Sequence, residues 1–177
     1  MVYEEVIIGK FVDMRSITLD DAEFSYNIRM NEKFRAYVGQ PAHTMEQQRE
    51  FIKWQMQQPG DYYFVVLNKK AERIGLIGVY DIHGKMGEIG REVSYGNPLE
   101  TMEAEILLND FARDILKLDK VCCVVYLNNK KVMRMHKKNG FEPKAYIDRN
   151  GIACAYYEHE LDYGNSKVRR LLNDIGE

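Results

Sequence analysis

The run Val121-Cys-Cys-Val-Val-Tyr126 is apolar at every position and is flanked by polar residues. A strand with that pattern has no face to offer water, so it belongs inside a sheet that is covered on both sides. Upstream, Met102, Ile106, Leu107, Phe111, Ile115 and Leu116 fall near helical spacing between Leu99 and Lys117. This predicts a helix that lies on the sheet through one apolar face. A buried strand entered from an amphipathic helix already excludes all-helical and all-β architectures.

The flanking segments fill in the layers. Val6 to Ser16 reads as a strand, and Thr18-Leu-Asp-Asp21 is a capping box that opens a helix extending to Met30. Glu32 to Val38 suggests a further helical turn or two. Thr44-Met-Glu-Gln47 repeats the capping signature before a helix that ends near Pro59-Gly60. Tyr62 to Leu67, Ile74 to Ile82 and Glu88 to Tyr95 then read as an antiparallel meander. Lys130 to Lys138 is a short basic helix that Asn139-Gly140 ends. Phe141 to Arg149 and Ile152 to Asp162 flank Asn150-Gly151, a strong hairpin signal. Ser166 to Ile175 reads either as a docking helix or as a frayed end. The expected fold is α/β: one domain over 1–177, with a mixed, mostly antiparallel central sheet and helices on both faces.

Composition narrows the function. With 25 Lys+Arg against 27 Asp+Glu, the formal net charge of -2 supplies no global attraction to nucleic acid or anionic lipid. Cys122, Cys123 and Cys154 are odd in number, and two are adjacent in an apolar run, which fits reduced core thiols rather than disulfides. The start MVYEEVIIGK is acidic where a secretion signal is basic, and no apolar run approaches the ~20 residues of a membrane helix. The expectation is a cytoplasmic protein. His43, His83 and His159 are scattered without ligand spacing, so no metal site is expected.

Several segments carry a resemblance over most of the chain. Met14-Arg15-Ser-Ile-Thr18-Leu-Asp-Asp21-Ala22 is similar to an L-R-P-L-T-x-x-D-A opening, with serine in place of proline. Arg29, Arg35-Ala-Tyr37-Val, Thr44-Met-Glu and Trp54 follow the continuation of that pattern. Glu103-Ala104, Val121, Asn129 and Gly140-Phe141 match an E-A…V…N…K-x-G-F block in spacing. Together these resemble the GNAT (Gcn5-related) N-acetyltransferases, most closely the branch that acts on ribosomal proteins and nucleotide sugars.

The resemblance implies acetyl-CoA as co-substrate, bound in a splay between the strand at Glu88 to Tyr95 and the strand at Val121 to Tyr126. It implies that backbone groups of Val93, Ser94 and Tyr95, with Asn129, hold the pantetheine arm. Lys131 and Arg134, beside Lys130, would meet the far end of the cofactor, or form an exposed basic face with no ligand. His136 stands where many relatives have tyrosine, and its imidazolium could protonate the departing thiolate. Strand alternation places Glu88, Gly90 and Glu92 on one face, with Glu92 nearest the reaction centre as the candidate base.

One departure stands out. Tyr95-Gly96-Asn97-Pro98-Leu99-Glu100 lacks the R/Q-x-x-G-x-G/A run that cradles pyrophosphate, and it brings Glu100 and Glu103 near the helix start. The implied activity is direct acetyl transfer to a primary amine. The acceptor is an amino sugar of a nucleotide, or alternatively a peptide N-terminus. A third reading is a binding module of the same fold that has lost acetyl-CoA. Tyr37, Trp54 and Tyr80 are candidate pocket residues, and monomer and homodimer both remain open.

Overall fold

The computed structural model describes residues 1–39, 42–138, 140–161 and 174. The predicted terminal helix therefore lies outside the described residues, except for Asp174. An eight-stranded sheet runs in the order β1-β2-β3-β4-β5-β6-β8-β7. Its strands are β1 (Ile7–Ile8), β2 (Val12–Ser16), β3 (Tyr62–Asn68), β4 (Arg73–His83), β5 (Met86–Ser94), β6 (Lys120–Tyr126), β7 (Ala145–Arg149) and β8 (Ile152–Glu160). Four helices accompany them among the described residues: α1 (Ala22–Met30), α2 (Met45–Gln55), α3 (Pro98–Asp114) and α4 (Lys130–Lys138). All neighbouring strands are antiparallel except the β5–β6 pair.

Alternation along β3 sorts the two faces. Tyr63 and Val65 pack with Ile17, Ala22 and Ile28 of the α1 side and Ile52 of α2. Phe64 and Val66 point the other way, onto Ala104, Leu108, Phe111 and Ala112 of α3. Val121 joins the α3 cluster, and Val125, Ala155 and Tyr157 form a smaller cluster with Val132 and Met133 of α4. Helices thus cover both faces, with α3 and α4 on the same one. No described helix is long and apolar enough to cross a membrane.

Two sequence expectations need correction. The stretch expected as one strand from Val6 to Ser16 is broken at Gly9, whose N–H donates to Val12 O at 2.9 Å. The carboxylate of Glu103 fixes that turn by accepting from Lys10 N, Phe11 N and Val12 N at 2.8, 2.6 and 2.8 Å. A side chain on Gly9 would collide with both, since a Cβ there would lie 2.5 Å from Val12 O and 2.7 Å from Glu103 Oε2. Glu32 to Val38, expected as a helical turn or two, holds one α-type bond, Arg35 N→Asn31 O at 2.9 Å, among turns closed by Phe34 N→Asn31 O and Tyr37 N→Phe34 O, without a regular helix. The capping boxes of Thr18 and Thr44 are both present. Asn150 and Gly151 adopt φ of 57° and 80°, the left-handed pair a two-residue hairpin turn requires.

Candidate active site

The β5–β6 pair is joined at only three positions: Met86↔Lys120, Gly87↔Val121 and Glu88↔Cys122. Beyond Glu88 the strands separate. Among the described residues, β5 from Ile89 to Ser94 keeps β4 on one side and has no strand on the other, and from Cys123 onward β6 pairs only with β8. The open end lies where α3 and α4 begin. Tyr95 donates its N–H to Ile74 O of β4 at 2.7 Å, so that amide is taken, contrary to its expected role in holding a cofactor. Neighbouring residues of an extended strand turn their backbone groups to opposite edges, which leaves Ser94 facing the gap. Val93 likewise presents its side chain elsewhere, buried in the α1–α2 core.

A bulge re-aims the side chains beside the gap. Leu76 pairs with Val93 and Gly78 with Gly90, so Arg91 and Glu92 together face the single residue Ile77. Arg91 adopts a φ of 55°, and such bulges bend a strand and invert its alternation. The expected grouping of Glu88, Gly90 and Glu92 on one face is therefore wrong. Arg91 joins Gly90 on the α1–α2 side, with its guanidinium 4.0 Å from the Tyr80 ring centroid and paired to Asp61 at 2.7 and 2.8 Å. Glu92 turns to the α3–α4 side, where it meets the field of Glu105 on α3.

Solvent reaches Glu92 from the open end of the gap, but the surrounding walls strip much of its hydration. This desolvation pushes its carboxyl up to about 7. Burial, and then the charge of Glu92, raise Glu105 well above the usual carboxylate range. A carboxylate poised near neutrality, next to a second that resists ionising, suits the removal of a proton at physiological pH.

His136 lies on α4, stacked on Tyr157 with ring centroids 4.2 Å apart. Burial first, then the neighbouring His159, push it down to about 4. It is neutral at pH 7, so the imidazolium that the sequence reading assigned as the acid is disfavoured here. The structure also gathers groups that the sequence left scattered. Cys123 Sγ lies 3.8 Å from His136 Nε2 and 3.9 Å from His159 Nε2. His43 and His83 stay exposed on the surface. No sequence signal marks Cys123 and His159 as partners: they belong to adjacent strands and meet a residue of a separate helix.

The start of α3 is closed by its own side chains. Asn97 Oδ1 accepts from Leu99 N and Glu100 N at 2.9 and 3.1 Å, and Glu100 Oε2 accepts from Asn97 N at 2.8 Å. Pro98 has no N–H. The amides that would cradle a phosphate are thus already taken. Glu103, expected to crowd an anion there, instead faces the β1–β2 turn. At the start of α4, Asn129 acts as the cap, with Val132 N at 3.4 Å from its Oδ1. Lys130 and Lys131 are exposed beside it, and Arg134, one turn on, donates its Nε–H to Lys130 O at 3.1 Å.

Among the described residues, then, β5 and β6 leave a gap between them, the first amides of α3 are already paired, and exposed cationic side chains stand along α4. On the opposite face, Tyr80 donates to Glu88 at 3.0 Å, while Tyr37 and Trp54 are 43% and 51% exposed. Trp54 is not a core residue and remains available to line an acceptor surface.

Comparison with known proteins agrees with this geometry. The sequence profile of the acetyltransferase (GNAT) domain matches residues 12–142. No curated protein is similar to the chain in sequence. Among solved structures, the apo form of FdhC, a nucleotide-linked sugar GNAT, superposes with a TM-score of 0.77 at 21% identity, covering 97% of this chain and 96% of that one. A GNAT-family acetyltransferase from Bacillus anthracis gives 0.74 at 19% identity, over 90% and 100%. The spermidine N-acetyltransferase from Vibrio cholerae, in complex with CoA and spermine, gives 0.74 at 17% identity, over 86% and 97%.

Proposed function

Since the chain belongs to the GNAT family of N-acetyltransferases, whose co-substrate is acetyl-CoA, we propose that it acetylates a primary amine by direct attack, with Glu92 as the base. Bound acetyl-CoA supplies an acetyl group already activated as a thioester. The rest of the work falls to the chain's own groups. The unpaired edge of β5 offers main-chain donors, with Ser94 N–H facing the gap, to hold and polarise a carbonyl. Glu92 receives the proton that an ammonium must lose before its nitrogen can attack, directly or through one water. Lys130 and Lys131 offset phosphate charge in place of the missing backbone cradle. Asn129 caps α4 and keeps its amide N–H₂ for a polar arm passing in front of it. The attack forms the C–N bond and breaks the C–S bond, and the departing thiolate takes up the second proton that the nitrogen sheds, so no covalent enzyme intermediate is required.

The observation that carries this reading is the parting of β5 from β6 immediately beyond Glu88, with Glu92 turned into the gap by the bulge. For the acceptor, we favour an amino sugar attached to a nucleotide. The N-terminal segments around Arg29, Tyr37 and Trp54 support it, as does the similarity to a nucleotide-linked sugar GNAT.

The test is acetyl-CoA binding by calorimetry, followed by thiol release with a panel of an amino-sugar nucleotide, a polyamine and a peptide with a free N-terminus. Turnover highest with the amino-sugar nucleotide is the expected result. Absence of heat at millimolar acetyl-CoA would remove the enzymatic reading and leave the closed start of α3 as the mark of a module that has lost its cofactor.

A further inference from the structure

On the β6 wall of the gap, three soft ligand groups converge from three separate elements. Cys123 is the first residue of β6 past the last β5 pairing, His136 comes from α4 and His159 from β8. Their ligand atoms all lie within 4.8 Å of one another, with Cys123 Sγ at 3.8 and 3.9 Å from the two Nε2 atoms. A tetrahedral zinc with Zn–S near 2.3 Å and Zn–N near 2.0–2.1 Å sets S···N separations of roughly 3.5 Å. The two S···N distances are a few tenths of an ångström wider, and the two imidazole nitrogens, within 4.8 Å of each other, would close toward roughly 3.3 Å through side-chain rotation on binding.

We propose that Cys123, His136 and His159 form a binding site for a thiophilic divalent cation, with zinc as the natural occupant and a fourth position left open. Three independent features support it. The ligand set of one thiol and two imidazoles selects borderline-soft metals over magnesium or calcium. The two imidazole rings are held 13° from parallel by Tyr157 and Phe141. Both imidazoles present the same nitrogen, Nε2, to Cys123 Sγ.

The surroundings also favour a cation. Burial raises the Cys123 thiol, and the carboxylates of Glu88 and Glu92 lie near enough to act on it as well. Binding replaces the thiol proton, which leaves to solvent.

The full-length chain, stripped with a chelator and dialysed, should bind Zn²⁺ at a stoichiometry of one. Co²⁺ loaded in its place should show the near-ultraviolet thiolate-to-cobalt charge-transfer band that marks a cysteine ligand. Cys123→Ser and His159→Ala, checked for retained fold by circular dichroism, should each weaken Zn²⁺ binding on the order of a hundred-fold or more, because even second-shell changes cost 10–100-fold. The cobalt spectrum of the unaltered chain decides the question even if a variant fails to fold. Absence of the thiolate band, or zinc binding that survives both substitutions, overturns the site.

Discussion

The guanidinium of Arg149, at the hairpin end of β7, grips the carboxylate of Glu88 through two bonds of 2.7 and 2.6 Å. Glu88 is the last residue of β5 to pair with β6, and its side chain is only 8% exposed. The pair thus ties the terminal hairpin to the point where the sheet divides. Breaking a buried pair strands a charge and costs about 3–5 kcal/mol, less where water can reach one partner. Arg149 is 39% exposed, so Arg149→Ala should destabilise by about 2 kcal/mol. Adding Glu88→Gln should recover part of that loss. Urea denaturation of the single and double variants measures both.

The pH dependence of activity should follow Glu92. With its carboxyl pushed up to about 7 by desolvation, kcat/KM should rise as pH approaches 7 and level off above it. Glu92→Gln should remove that limb and lower the rate roughly 10²- to 10⁴-fold, the range of general-base catalysis. Stability has the opposite sense: a carboxyl raised on folding contributes stability that is present at low pH and lost as pH rises through about 7. Glu92→Gln should therefore raise the thermal midpoint at pH 8 and leave it unchanged below about pH 4. Thermal scans across that range provide the check.

Glu103 serves the β1–β2 turn rather than an anion. Glu103→Ala would leave Lys10 N, Phe11 N and Val12 N without their acceptor. Of the three, Val12 N is the buried one, and a buried amide left unpaired costs about 1–3 kcal/mol, so a loss of about 2 kcal/mol is expected. Gly9→Ala should also destabilise, through the close approach of Val12 O and the same carboxylate. Chemical denaturation distinguishes both variants from the wild type, and acetyl-CoA affinity per folded molecule should not change.

Glu100 is the group that closes the start of α3 against a phosphate. Glu100→Ala removes a carboxylate and frees Asn97 N, at a small stability cost. If the cofactor's phosphates approach α3, its KM should fall by roughly 3- to 10-fold, since tenfold corresponds to about 1.4 kcal/mol. An unchanged KM would place the phosphates along Lys130 and Lys131 alone, and substituting those two lysines should then raise it.

What the sequence made legible, and what it did not, divides along physical lines. Local signals held: the Thr18 and Thr44 capping boxes, the Asn150-Gly151 turn and the short helix Lys130–Lys138 are where spacing placed them. These depend on neighbours a few residues away. The separation of β5 from β6 was anticipated through family resemblance, because no local pattern records where two distant strands stop pairing. Alternation failed at Arg91, where one extra residue in β5 inverts the side of Glu92, and nothing in Gly90-Arg91-Glu92 announces it. The gathering of Cys123, His136 and His159 was equally hidden, since it arises from the docking of α4 on β6 and β8. The cap on α3 was written in Asn97-Pro98-Leu99-Glu100 all along, as an Asn-x-x-Glu variant of the box found at Thr18 and Thr44.

With only three rungs between β5 and β6, the sheet behaves mechanically as two plates joined by a narrow neck. The plate of β6, β8 and β7 with α4 rests mainly on a small apolar cluster of its own, reaching the larger one under α3 through Val121, while β2 to β5 share the two large ones. Its main-chain protons should trade with deuterium as one cohort, at lower opening free energy than those of β3 and β4. A guest that wedged between the plates and gripped both would slow that exchange, reporting its arrival far from where it sits.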